Sequence, residues 1–321
     1  MKAFANTSLF VLLSIAGMSV ALGDTGCDVP NVCAFVDVGG TFTTIHVPGA
    51  TMLAIAGVSA SGQILGSFEA AGGHSRFFID DHGTITFPSF NFPGAAATGV
   101  GGINNSGEVV GTWFNGVGGN SAYVLDHGTY TSISFLGSTN TFGDGINNSG
   151  TVVGAYFPAG TTAARGFIDK AGAFTSISVA GELFTEARGI NGSGQVVGFA
   201  GGSGHDVSFL YDDGALTTFR FPGATNTDAF SINDSGAIVG NHDNGGFLYS
   251  GGVFTPITFP NSTFTTAVGI SDSGAIVGTY SLIPEPGSLL LLAMVMIAFA
   301  TATVGAQFRG WRTHATSRTF E

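Results

Sequence analysis

The sequence predicts an all-β fold, a β-propeller of about six four-stranded blades that strands from both termini close into a ring. Three observations lead to this prediction. A motif returns every 38 to 45 residues, short β-branched strands alternate with turns, and the repeat begins and ends on complementary halves. The chain has 321 residues with 52 Gly, 29 Phe and only 9% charged residues. This composition fits short strands joined by tight turns better than long helices.

The repeated motif is Gly-Ile-Asn-x-Ser-Gly, followed by a strand that itself ends in glycine. Self-similarity at this period indicates similar supersecondary units, each unable to bury its apolar face alone. We interpret the motif as a hairpin turn rather than a phosphate loop, because no lysine follows and no helical pattern begins. The glycines of the Ser-Gly pairs are Gly62, Gly107, Gly150, Gly194, Gly236 and Gly274.

One repeat unit illustrates the four predicted strands. The first strand covers residues 141–146 and leads into a turn at 147–150. The second covers residues 151–156, the third 165–169 and the fourth 173–179, all rich in β-branched and aromatic residues. Four short antiparallel strands in about 40 residues have the size of a propeller blade.

The strands with which the array begins and ends favour a closed ring. Residues 34–47 match only the third and fourth strands of a unit, and residues 263–280 match only the first and second. With five whole units between them, the chain holds 24 strands, or six blades. A blade completed from both ends hides its strand edges. Seven blades or an open β-solenoid are the alternatives, although a solenoid would need polar capping repeats and none is visible.

The N-terminal residues 1–23 have the pattern of a secretory signal peptide. Lys2 supplies the positive charge, residues 9–21 form the apolar region, and Ala21 and Gly23 are the small residues before cleavage. A buried strand or a membrane anchor is the alternative, but the apolar region is short for a membrane span. We therefore expect an exported protein.

The segment 24–33 contains the only two cysteines, Cys27 and Cys33. In an exported chain, a pair so close in sequence is most simply a local disulfide. Two free thiols are the alternative, and a metal site would need further ligands that are not clustered nearby.

The C-terminal residues 283–321 carry a second sorting pattern. Residues 287–306 contain no charge, and 20 residues are enough for a transmembrane helix. Arginines follow this segment, which predicts a cytoplasmic C-terminus and external repeats. Two prolines around a glutamate precede it and mark an extended, accessible junction. A single-pass anchor with a proline-containing stalk is one interpretation.

The order of Pro-Glu-Pro, apolar span and basic tail resembles the PEP-CTERM sorting signal of exported bacterial proteins. The resemblance implies that an exosortase-type membrane transpeptidase recognises Pro284, Glu285 and Pro286. It also implies a basic tail, here with Arg309 and Arg312, and cleavage followed by release or transfer to the cell surface. The protein would then be membrane-anchored only until it is processed.

The repeats over residues 34–280 resemble the HAF family of probable extracellular repeats through their Gly-Ile-Asn-x-Ser-Gly and Phe-Leu-Tyr-Asp-Asp-Gly elements. The His-Ala-Phe triplet that names the family is degraded here, at residues 121–123, 207–209 and 245–247. The resemblance implies an extracellular location and a repeat fold rather than a particular chemistry.

Charge and side-chain spacing exclude several functions. Residues 24–282 hold five basic and 19 acidic side chains, a net charge of −14, so nucleic-acid binding is not expected. No histidines have metal-ligand spacing, and we interpret His82 and His127 as turn formers because Asp213 fills the equivalent position. The aspartate-rich turns could hold Ca²⁺ weakly, but solvation at the surface is the preferred interpretation. We predict no catalytic residue, metal or cofactor.

The sequence therefore predicts a non-enzymatic repeat protein of the cell surface or extracellular matrix, which binds an extracellular polysaccharide or a surface protein. The alternative is a propeller-fold lyase or glycoside hydrolase with a site in the central channel. That alternative requires unlike polar residues from several blades to converge, with two carboxylates about 5 to 9 Å apart.

Overall fold

The computed structural model describes residues 32–70, 74–202 and 204–282, and every regular element in these ranges is a β-strand. The signal peptide, Cys27, the Pro-Glu-Pro element, the apolar segment 287–306 and the arginine tail lie outside these ranges, so those expectations stay predictions. Within the described ranges, no helix is long and apolar enough to cross a membrane.

The described residues form 24 strands, which we number in chain order. The first six are β1 (Val32–Val38), β2 (Thr41–Ile45), β3 (Ala50–Val58), β4 (Ile64–Ala70), β5 (His74–Asp81) and β6 (Thr84–Thr86). The next six are β7 (Ala97–Ile103), β8 (Val109–Phe114), β9 (Asn120–Asp126), β10 (Thr129–Ile133), β11 (Ser138–Ile146) and β12 (Val152–Pro158). Then come β13 (Arg165–Lys170), β14 (Ala173–Ile177), β15 (Phe184–Ile190), β16 (Val196–Gly201), β17 (Asp206–Asp212) and β18 (Ala215–Phe219). The last are β19 (Thr227–Ile232), β20 (Ile238–His242), β21 (Gly245–Ser250), β22 (Val253–Ile257), β23 (Ser262–Ile270) and β24 (Ile276–Leu282).

The strands pair as antiparallel meanders, as predicted. The sheet in the order β2-β1-β24-β23 joins strands from both ends of the described chain. The first strands of the units are β3, β7, β11, β15, β19 and β23, and each contacts the next, with β23 contacting β3. The first strands therefore form a closed ring around a central channel, which is the arrangement of a β-propeller.

The prediction of about six separate blades is wrong as a count of sheets. Four four-stranded sheets stand alone, whereas β7 to β14 form one eight-stranded sheet. The two halves of the larger sheet meet at a single parallel bridge between Asn120 and Asn140. The backbone N–H of Asn120 also donates to Asn140 Oδ1 over 3.1 Å, which holds the starts of β9 and β11 together.

The glycine that closes the repeated motif makes room for a buried aromatic ring. Gly198 is an example: a Cβ atom there would collide with the carbonyl oxygen of Glu186 and lie 2.9 Å from the ring of Phe209. Phe209 is fully buried, as is its aromatic equivalent in every other unit. Side chains with this role form much of the core between sheets and are Phe35, Phe78, Tyr123, Phe167, Phe209 and Phe247.

The asparagine of the motif makes hydrogen bonds within its own turn and to the next unit, and only those within the turn were predicted. In its own turn, Asn147 Oδ1 accepts hydrogen bonds from the backbone N–H groups of Ser149 and Thr151. Its Nδ2 donates to the carbonyl of Asn191 in the next unit over 3.0 Å. Equivalent bonds run from Asn104 to Asn147, from Asn191 to Asn233 and from Asn233 to Ser271, at 3.0 to 3.1 Å. A line of buried amides thus ties five units together.

The interpretation of His82 and His127 as turn formers is confirmed. His82, His127 and Asp213 have φ of 51°, 44° and 43°, the left-handed conformation that a tight turn requires. At the start of β1, Cys33 is buried and disulfide-bonded. Its pairing with Cys27 stays a prediction.

Candidate functional site: the central channel

A bulge in each first strand turns one additional residue toward the channel. In β15, for example, the pairing with β16 shifts between Ala187 and Gly189, so that Arg188 has no partner of its own in the ladder. Bulges of this kind re-aim a side chain. The six bulged residues all line the channel, and they differ from unit to unit: Ala56, Gly101, Asp144, Arg188, Phe230 and Val268.

The channel widens into a cavity of about 310 Å³ beside these residues. Asn241 and Thr266 also line the cavity, together with apolar side chains of Ile55 and Val100. Toward the Ser-Gly turns the channel narrows to a space of about 80 Å³, lined largely by glycines and by asparagine and aspartate residues of the turns. The cavity is at the small end of the range for small-molecule sites.

Arg188 is the centre of a charged cluster in this channel. Its Nη1 lies 3.1 Å from Asp144 Oδ1 on the preceding unit, and its Nη2 lies 2.7 Å from Glu186 Oε2 on the same strand. Its guanidinium carbon lies 5.4 Å from the ring centroid of Phe199 and 6.0 Å from that of Phe230, within the range of cation–π attraction. Two carboxylates and two rings therefore hold the guanidinium group in one orientation.

The carboxyl groups of the cluster have shifted pKa values. Burial raises the pKa of Asp144 to about 6, and the opposing attraction of Arg188 does not cancel this effect. Burial is also the largest cause that raises the pKa of Asp228 to about 6, with repulsion from Asp206 adding to it. Both groups therefore exchange protons near neutral pH, which surface aspartates do not.

Two polar atoms of the cluster lack a partner among the described residues. Arg188 Nε and Asp228 Oδ1 are buried and make no hydrogen bond there. Such groups are costly unless something satisfies them.

The cluster has a surplus of negative charge. Asp144, Glu186 and Asp228 outnumber the single guanidinium of Arg188, so the channel favours neutral or cationic ligands over anions. Phe230 and the aliphatic residues beside it supply an apolar surface. The arrangement can therefore bind a small molecule through hydrogen bonds on one side and apolar contact on another.

The histidine and Asp-Asp turns that the sequence singled out are not part of the channel lining. His82 and His127 sit at exposed turns, each with its Nδ1 against the neighbouring Asp81 or Asp126. In the aspartate-rich turns, carboxylates bind the protein itself; Asp243, for example, accepts the backbone N–H groups of Thr225 and Asn226. Among the described residues, no group of three or more His, Cys, Asp or Glu has the arrangement of a metal site.

Sequence reasoning missed Asp144, Glu186, Arg188 and Asp228, because single charged residues in strands look like ordinary surface positions. A signal was nevertheless present. When the repeats are aligned on Gly-Ile-Asn, the residue two places before the isoleucine differs in chemistry from copy to copy. Equivalent turns carry similar residues, whereas the equivalent bulges do not.

Comparison with known proteins shows the fold alone. No family model and no curated protein matches the sequence. The chain is similar to the β-propeller domain of the Trilobed protease from Pyrococcus furiosus, with a TM-score of 0.51 and 12% identity over 79% of this chain and 89% of that one. That domain is described as having an open velcro topology, whereas strands from both ends share a sheet here.

Two further solved structures are more distant. TolB from Acinetobacter baumannii has a TM-score of 0.49 and 12% identity over 78% of this chain and 63% of that one. The Aleuria aurantia lectin has a TM-score of 0.40 and 13% identity over 78% of this chain and 87% of that one.

Proposed function

We propose that this chain is an exported, non-enzymatic repeat protein of the cell surface or extracellular matrix that binds a saccharide unit in its central channel. The observation that carries the proposal is the contrast between a regular scaffold and six dissimilar bulged residues. The residues that build the turns and the core are similar in every unit, whereas the residues that face the channel differ from one unit to another. A ligand is favoured where the copies differ.

The chemistry of the channel suits a neutral or amino sugar. Sugar hydroxyls can hydrogen-bond to Asn241 and Thr266, the polar side chains that line the cavity beside Arg188. The ring of Phe230 offers an apolar surface for the C–H face of a sugar. A cavity of about 310 Å³ admits a saccharide unit rather than a protein segment. The surplus of carboxylates disfavours uronic acids and sulfated sugars.

Titration calorimetry with neutral, amino and acidic oligosaccharides tests this proposal. We expect neutral or amino sugars to bind and Phe230→Ala to weaken binding at least tenfold. Leu136→Ala, at an exposed loop position outside the channel lining, is the matched control and should bind as the original protein does. Binding that survives Phe230→Ala, or no binding by any neutral or amino sugar, would reject the channel as a saccharide site.

We also propose that an exosortase-type transpeptidase sorts the protein at Pro284, Glu285 and Pro286. The order of proline-flanked glutamate, apolar segment and arginine-bearing tail supports this. Mass spectrometry of the exported protein should find a C-terminus near Pro286. Glu285→Ala should leave the chain in the membrane, whereas Glu321→Ala at the far end should not. An intact C-terminus at Glu321 in the mature protein would contradict processing.

We propose further that the eight-stranded sheet counts as two blades, giving six positions around the ring. The repeat phase and the closed ring of first strands support this count. A single bridge between Asn120 and Asn140 is a small fraction of the pairing in either half.

An enzymatic function has one specific observation in its favour, the two carboxyl groups of Asp144 and Asp228 with pKa values of about 6. Such values suit general acid or base catalysis on a polysaccharide. Release of new reducing ends or unsaturated sugars, abolished by Asp228→Asn, would replace the binding proposal with a hydrolase or lyase.

A further inference from the structure

The direction of the strands gives the propeller two chemically different faces. First strands end at the Ser-Gly turns, and third strands end at turns such as the one containing His82. We call this side the turn face. The opposite side, the loop face, carries the links between second and third strands and the connections from one unit to the next.

Charge is divided unequally between the two faces. Apart from the channel cluster of Asp144, Glu186, Arg188 and Asp228, ten acidic residues and one lysine lie at the turn face, a net charge of −9, while four acidic residues and three arginines lie at the loop face, a net charge of −1. The acidic residues of the turn face are Asp37, Asp80, Asp81, Glu108, Asp126, Asp169, Asp212, Asp213, Asp234 and Asp272, and its lysine is Lys170. Those of the loop face are Glu69, Glu182, Asp206 and Asp243, with Arg76, Arg165 and Arg220.

Exposed apolar side chains are concentrated on the loop face. Of eight large apolar residues exposed in the described ranges, only Val38 and Val253 belong to the turn face. The other six lie at strand starts or loops of the loop face: Met52, Phe87, Val117, Leu136, Leu183 and Phe264. Leu136 and Val117 are 94% and 90% exposed, at the tips of their loops.

The described chain also begins and ends at the loop face. β1 starts there, and β24 ends there at Leu282. Four residues separate Leu282 from Gly287, the first residue of the uncharged segment 287–306. Even a fully extended linker of this length spans only about 15 Å. If the segment crosses a membrane, the loop face lies close to the lipid surface.

We propose that the loop face rests on the lipid bilayer before processing, with its exposed apolar side chains among the lipid headgroups. This proposal rests on the membrane segment of the proposed function, and it adds an orientation for the whole propeller. The nearly neutral, apolar face meets the membrane, because the strongly acidic turn face is repelled by anionic headgroups. The narrow end of the channel at the Ser-Gly turns then faces outward.

Site-specific fluorescence on the full chain in phosphatidylcholine vesicles tests the orientation. Leu136→Cys on the loop face and Val253→Cys on the turn face each accept a thiol-reactive dye, since Cys33 is disulfide-bonded. Both positions are exposed, so neither label disturbs the core. We expect a headgroup-attached quencher to reduce emission at position 136 several-fold more than at position 253. Aqueous iodide should show the reverse order.

Each outcome has a distinct meaning. Equal iodide quenching at both positions, in chains that float with the vesicles, overturns the docking proposal alone. Failure to float with vesicles overturns both the docking and the membrane segment, while saccharide binding is tested separately. Concentration-dependent shielding of position 136 in detergent without lipid shows that a second copy covers the face, which also overturns the proposal. Adding Leu183→Glu and Phe264→Glu should restore iodide access at position 136.

Discussion

Arg188 Nη1 lies 3.1 Å from Asp144 Oδ1, although 44 residues and a unit boundary separate them. This ion pair joins two repeat units at the channel wall and compensates a buried carboxylate. Replacing Arg188 with Met leaves Asp144 and Glu186 without their partner. We expect a loss of about 1 to 3 kcal/mol in the free energy of unfolding, less than for a fully buried pair because the side chain is 34% exposed.

Denaturant unfolding of the Arg188→Met protein measures this loss. Arg165→Met is the control, because Arg165 is an exposed residue at the loop face and should change stability by less than about 0.5 kcal/mol. Equal effects of the two substitutions would show that the channel pair has no special role in stability.

Stability should rise as pH falls from 7 to 5. The pKa values of Asp144 and Asp228 are raised to about 6 in the folded protein, so between pH 4 and 6 it binds more protons than the unfolded chain. Asp144 therefore adds about 1 kcal/mol at pH 5 relative to pH 7, and Asp228 adds less because it is more exposed and solvent screens it. Burial lowers the pKa of His242, which works in the opposite direction.

Thermal unfolding of the double variant Asp144→Asn, Asp228→Asn isolates the two carboxyl groups. Its stability should depend less on pH between 5 and 7 than that of the original protein, because His242 is present in both. An unchanged pH dependence would mean that other groups control it.

The line of buried amides predicts an unequal response of neighbouring asparagines. Asn147→Ser keeps a hydroxyl for the local turn, as Ser59 and Ser271 do in their units, but removes the bond to the Asn191 carbonyl. We expect a loss of about 1 to 3 kcal/mol, since the bond is buried and leaves an unpaired carbonyl.

Asn148→Ser is the matched control for this experiment. Asn148 is exposed and its Oδ1 accepts the N–H of Asn105, which water can replace. Its substitution should cost less than about 1 kcal/mol. If both variants unfold at the same denaturant concentration, the buried amides do not hold the units together.

The repeated part of this fold can be predicted from the sequence, whereas some contacts between units cannot. Ile-Asn-x-Ser-Gly predicted the first hairpin because asparagine and glycine answer local backbone needs, and β11 to β14 begin and end within three residues of prediction. Closure by both termini followed from the phase. The bridge between Asn120 and Asn140 could not be predicted, because it depends on the distance between two strand starts rather than on either segment's own pattern.

The charged cluster in the channel could not be predicted from the sequence for a related reason. Arg188, Glu186 and Asp144 meet only because a bulge in each first strand turns one residue toward the channel. No particular residue type at the bulged position marks the bulge in the sequence. The structural signal lies in the glycine opposite, since Gly198 pairs with Ala187 just before the shift to Gly189. Gly198, which has no side chain, therefore lies opposite the point where the strand bulges and places Arg188 in the channel.

This link predicts that Gly198→Ala alters the site as well as stability. The added methyl would collide with the Glu186 carbonyl and press on the ring of Phe209, so β15 must shift near Arg188. We expect a loss of about 1 to 3 kcal/mol, as for overpacked cores, and weaker saccharide binding in calorimetry. Gly278→Ala makes the equivalent collision with Thr266 and Phe35 and should destabilise similarly.

Two comparisons make this prediction specific. Gly99→Ala places its methyl no closer than 3.8 Å to the nearest atoms, so it should leave both stability and binding nearly unchanged. Gly278 lies opposite Ala267, whose following bulge carries the uncharged Val268, so its substitution should disturb binding less than Gly198→Ala at equal loss of stability. Saccharide affinity that simply tracks stability across all three variants would contradict a specific coupling between the motif glycine and the Arg188 bulge.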